Sequence, residues 1–142
     1  MRLRGRSMLF VAAAAAFLSV ASTTSASAAY GTVLSAETTG AFGDVYITYK
    51  SHTSLSRVDF RSVDLLADGH HARLRLNTKR DDGSVVNWAW RYNYGGKGAQ
   101  PTWKSTLDDS RGVAQVRLQV CRGEGSDILN CAYSKWERNA YK

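Results

Sequence analysis

Alternation of apolar and polar residues, broken at short intervals by Asp-Gly and glycine-rich turns, constrains this chain more than any other feature. Val45, Ile47 and Tyr49 alternate with Tyr46 and Thr48, and Ala72, Leu74 and Leu76 alternate with Arg73 and Arg75. Val86, Trp88, Trp90, Tyr92 and Tyr94 form a longer row, and Ala114, Val116, Leu118 and Val120 form another. Two further runs cover about 57–66 and 131–136, and 103–107 is a short seventh. A period of two places successive side chains on opposite faces of a strand. No stretch carries the 3.6-residue pattern of a long helix. The chain is therefore expected to be all-β, an antiparallel β-sandwich or small barrel of six to seven strands.

That domain follows an export leader. Arg2, Arg4 and Arg6 precede an apolar run from Met8 to Val20, and Ala26-Ser27-Ala28 supplies a small-x-small cleavage pattern. This 13-residue run, interrupted only by Ser19, falls short of the roughly 20 that a spanning helix needs. Residues 1–28 read as a signal peptide and 29–142 as a single secreted domain, extracellular, monomeric and without a membrane span. Removing the leader's three arginines from 19 basic residues leaves 16 against 12 acidic ones, a balance of +4. That balance permits an anionic partner without demanding one. Cys121 and Cys131 both lie in the exported part, where an even count predicts one disulfide clamping a loop between neighbouring strands.

One hairpin is legible in register. If Asp81-Asp82-Gly83 closes as a three-residue loop with Gly83 left-handed, Leu76 faces Trp88, Leu74 faces Trp90 and Ala72 faces Tyr92. The two-residue alternative mixes apolar and charged faces, and a slip of one residue flips every side chain. The longer loop sends the Trp88, Trp90 and Tyr92 rings into the core. The opposite face then carries Arg73, Arg75 and Arg91, with Arg117 added if its strand lies in the same sheet. Guanidinium groups grouped in this way grip carboxylates or phosphates by paired hydrogen bonds. These four arginines are the candidate binding residues. Trp103 and Trp136, outside the aromatic row, are the candidates for exposed ring platforms, and the loop around Gly95, Gly96 and Gly98 for a mobile recognition segment.

Catalytic patterns are scarce. His52, His70 and His71 are the only imidazoles, and Glu37, Glu124 and Glu137 the only glutamates. A ribonuclease needs a Glu base, a His acid and an Arg to hold phosphate, and no such setting is recognisable. Neither a nucleophile elbow nor a zinc-binding or phosphate-cradling motif occurs. Asp81-Asp82 and Asp108-Asp109 sit among turn residues. No catalytic residue, metal site or cofactor is expected.

Two resemblances remain. The Trp90-Arg91-Tyr92 triplet is similar to the Trp-Arg-Tyr triplet of the small secreted tendamistat-like α-amylase inhibitors, where it sits at a hairpin tip and enters the enzyme's cleft. This chain lacks their four-cysteine pattern and its triplet reads as mid-strand, so the match is that of a short motif arising by chance. With its Arg/Ala-rich leader, the Ala67-Asp68-Gly69 turn and the Val-Arg-Leu-Gln-Val-Cys strand at 116–121, the whole chain resembles small secreted actinobacterial proteins of unknown function, which implies no activity. The expected function is noncatalytic binding outside the cell, of an anionic wall polymer or an acidic protein surface. The alternatives are inhibition of an extracellular hydrolase, through 94–102 or the clamped 122–130 segment, and a small nuclease or toxin.

Overall fold

The structure is a computed structural model that describes residues 31–141; the leader and its cleavage site lie outside them. Among the described residues ten strands form two antiparallel sheets packed face to face. The first sheet runs β1 (Gly31–Thr38), β2 (Ala41–Tyr49), β3 (Ser54–Asp64) and β7 (Thr102–Asp108) in that spatial order. At the centre of the second are β4 (His71–Lys79) and β8 (Gln115–Glu124). One flank of that pair is shared by β5 (Val85–Asn87) and β6 (Arg91–Asn93), both on β4. The other is shared by β9 (Asp127–Tyr133) and β10 (Glu137–Arg138), both on β8. The architecture is thus a sandwich.

Its core is the one that alternation demands. Val45, Ile47, Val58 and Phe60 from the first sheet meet Leu74, Leu76, Val116, Leu118 and Val120 from the second, all nearly inaccessible to water. The layers approach closely at Gly43, where a Cβ would sit 2.8 Å from Leu74 Cδ2 and 2.9 Å from Val120 Cγ2.

Among the described residues ten strands replace the expected six to seven, for two reasons. Strand β1 carries too weak an apolar row to signal itself, since only Leu34 in it is buried while Val33 stays exposed. The rows expected at 86–94 and 131–136 are each interrupted. Asn77 pairs with Asn87, but Leu74 pairs with Arg91, so three residues (88–90) oppose two. Likewise Gln119 pairs with Tyr133 but Val116 pairs with Glu137, so 134–136 oppose two residues of β8. Each flank therefore carries a β-bulge, an insertion that bends an edge strand and re-aims its side chains.

Between the turn and the first bulge, the hairpin has the expected register. Gly83 is left-handed (φ 83°), Arg80 N–H donates to Ser84 O at 2.9 Å, and Trp88 N–H reaches Leu76 O at 3.0 Å. Cys121 and Cys131 face each other across β8 and β9 and are disulfide-bonded, with sulfurs 2.05 Å apart. Among the described residues no helix is long and apolar enough to cross a membrane.

Candidate functional site

The central strands fix the site. Because Ala72, Leu74 and Leu76 of β4 and Val116, Leu118 and Val120 of β8 point into the core, their neighbours point outward. The outer face so formed carries His71, Arg73, Arg75, Asn77 and Lys79 beside Gln115, Arg117, Gln119 and Cys121. Asn77 and Gln119 are buried at its centre and touch, Nδ2 to Oε1, at 3.4 Å. Arg75 donates Nε–H to Gln119 Oε1 at 2.7 Å, and Arg117 donates Nε–H to Asn77 Oδ1 at 3.1 Å. Each amide is held in turn by its edge partner. Asn77 donates to Asn87 Oδ1 at 2.8 Å, and Gln119 donates to the Tyr133 hydroxyl at 3.0 Å.

The bulges complete the arrangement with rings. Trp90, third residue of the first bulge, lies 4.2 Å from the Arg75 guanidinium carbon. Trp136, third residue of the second, lies 4.5 Å from that of Arg117, and Tyr133 takes the same guanidinium at 4.2 Å. The two halves are related by a local two-fold that passes through the Leu76–Leu118 pair. Guanidinium over indole, where planar faces match, is a favourable contact that also fixes the long side chain.

This face differs from the expected one. Arg91 pairs with Leu74 and so points toward the other sheet, 5.8 Å from the Phe60 ring centre, at a small cleft of about 80 Å³ with Val58, Trp88 and Leu107. Trp90 and Tyr92 stand on the arginine face instead of in the core, and Tyr92 lies opposite Arg73. Both corrections have one cause, the extra residue at 88–90, which reverses the faces beyond it. Trp88 precedes the slip and keeps its inward place, donating Nε1–H to Thr78 Oγ1 at 2.9 Å. Trp103 is partly buried against the core and lines a cleft beside the first sheet's outer face, whereas Trp136 belongs to the outer face of the second. Arg73, Arg75 and Arg117 are therefore brought together, and Arg91 is not. Arg73 is itself only 2% exposed, 5.1 Å from the Trp90 ring centre, with both Nη groups 3.4 Å from Ser126 O.

Charge compensation separates the two outer faces. On the first sheet Arg57 pairs with Asp59 and Arg61 with Asp44. On the second, Arg73, Arg75, Lys79 and Arg117 have no carboxylate partner among the described residues. Burial pulls the Arg75 guanidinium below its ordinary value, and the nearby Arg73 charge adds to this. An arginine so placed still stays charged.

A second cluster lies at the end of the same sheet, where a cleft of about 540 Å³ is lined by Asp64, His70, His71, Tyr94 and Lys97. Burial and the Arg73 charge hold the His71 imidazole below its usual range. Its ring packs on Tyr94 at 4.8 Å, and Tyr92 and Tyr94 stack in parallel. Glu124 comes within 3.7 Å of His70 Nδ1. The glycine-rich loop is tied down, with Asn93 Nδ2–H donating to Ala99 O at 2.9 Å and Gly98 N–H to Asp64 O at 2.8 Å. Trp90-Arg91-Tyr92 lies at a bulge and the start of β6, away from any hairpin tip. Among the described residues no three His, Cys, Asp or Glu side chains are grouped to hold a metal.

Comparison with models of known families, with curated proteins and with solved structures finds no match to this chain.

Proposed function

We propose that the protein is a noncatalytic binding module that acts outside the cell as a single chain and takes an anionic polymer on the outer face of its second sheet. One observation carries this reading: Arg75 and Arg117, beside the buried Arg73, are oriented by amides and rings, and among the described residues no carboxylate pairs with any of the three. Elsewhere on the same molecule arginines do find carboxylates, Arg80 with Asp109 and Arg122 with Asp68 among them. A cationic patch that the fold preorganises but leaves unpaired is complementary to a ligand bearing the missing charge. The arginine-bearing leader and the disulfide between Cys121 and Cys131 support an extracellular setting.

Arg75 and Arg117 lie along one sheet face on neighbouring strands, a placement that suits an extended chain better than a small molecule. Retention of the purified domain on immobilised polygalacturonate, dextran sulfate and long-chain polyphosphate tests the reading. Binding at low salt that weakens steeply toward molar salt is expected, since exposed charges are screened over about 8–10 Å. No retention on any of the three, or retention undiminished at molar salt, overturns it. An acidic protein surface as partner would bind without polymer retention, and that outcome too rejects the proposal.

A further inference from the structure

Resting on that reading, we infer that the face is a two-point receptor: Arg75 with Trp90 and Arg117 with Trp136 each grip one anionic group, so that the ligand is a linear polyanion engaged through two of its charges at once. Equivalence of the two points carries the inference. Both arginines spend Nε–H on an amide of the opposite central strand, and both lie against the indole that ends a bulge.

With Nε engaged, each guanidinium keeps its two Nη groups. Neither makes a hydrogen bond or ion pair among the described residues, which leaves an end-on, two-toothed edge for a small oxyanion. Arg75 pairs with Gln119, and Arg117 stands two residues along the same strand. Such diagonal positions on an antiparallel pair lie about 7–8 Å apart. Two free monoanions would each pay the full cost of association, whereas two charges on one chain share it.

The local two-fold adds a consequence for the ligand. Reversing the polymer's direction exchanges one grip for its equivalent, so the face reads spacing and charge and ignores chain polarity. Carboxylate, sulfate and phosphodiester chains share the required chemistry, and the arms of the test separate them.

The test compares galacturonate, digalacturonate and polygalacturonate, with dextran sulfate and polyphosphate as parallel arms, by titration at several salt concentrations. Digalacturonate is expected to bind at least tenfold more tightly than galacturonate. Arg75→Gln and Arg117→Gln are each expected to lose comparable affinity and to lower the slope of log affinity against log salt by about one contact. Arg75→Lys and Arg117→Lys keep the charge and the fold-supporting stem, and are expected to lose affinity with the slope retained. Equal affinity for monomer and dimer, or a loss confined to one arginine in both substitution series, overturns the two-point receptor while leaving polymer binding intact. Failure of the unaltered protein to bind any of the polymers overturns the functional reading itself.

Discussion

Arg75 reaches across the central strand pair to donate its Nε–H to Gln119 Oε1, 2.7 Å away, and Gln119 spends its own amide on the Tyr133 hydroxyl. The buried amide thus links a charged side chain from one strand to a ring on the far edge. Replacing Gln119 with Leu keeps roughly the volume but removes the acceptor. The loss is expected to be about 1.5–3 kcal/mol, the range for hydrogen bonds to charged groups. Chemical denaturation measures it, and a change below about 0.5 kcal/mol would show that water replaces the amide.

Trp90 contributes position and no charge. Trp90→Ala is expected to weaken polyanion binding several-fold while leaving the salt slope unchanged, because the number of cations is the same. Trp90→Phe, which keeps a ring beneath Arg75, is expected to recover part of the loss. A Trp90→Ala variant that binds like the unaltered protein would show that Arg75 needs no ring to orient it.

Acid sensitivity is expected to centre on Asp109. Burial opposes its ionisation, but hydrogen bonds from Arg80 and the Arg111 amide, with both guanidinium charges, outweigh that and hold its carboxyl below the usual range. The unfolded chain takes up the proton first, near pH 4, so the stability this group contributes is intact above that value. It is lost as pH falls through the lower folded value. Asp109→Asn should cost about 1.5–3 kcal/mol at neutral pH and flatten the acid limb of the stability profile. An unchanged acid limb in Asp109→Asn counts against this assignment.

Between the sheets, Gly43→Ala adds a methyl where Leu74 and Val120 leave no room. Overpacking of this kind typically costs 1–3 kcal/mol. Thermal unfolding of the variant checks it. A neutral result would mean that the layers separate more easily than their buried core implies.

Alternation alone made the sandwich legible, along with the Gly83 hairpin and the cysteine bridge, because each depends on local spacing. The proposed binding face was half legible. Arg73, Arg75 and Arg117 follow directly from inward Leu74, Leu76 and Leu118. The side on which Arg91 lies is hidden because Trp88-Ala89-Trp90 looks like unbroken alternation, and only pairing against β4 exposes the surplus residue. The second bulge had a faint signal, since polar Ser134 and Lys135 interrupt the run before Trp136. The amide network at Asn77 and Gln119 had none. A strand pattern reports which way a side chain points, and says nothing of which residue stands across from it.

The paired bulges also bear on how this sheet meets its neighbours. Each flank of the second sheet is divided into short pieces, the longest of seven residues. A long straight margin of unsatisfied amides would invite another chain to zip alongside. Here the kink that turns a tryptophan outward also breaks that margin. The proposed recognition face and the broken margin thereby come from the same insertion.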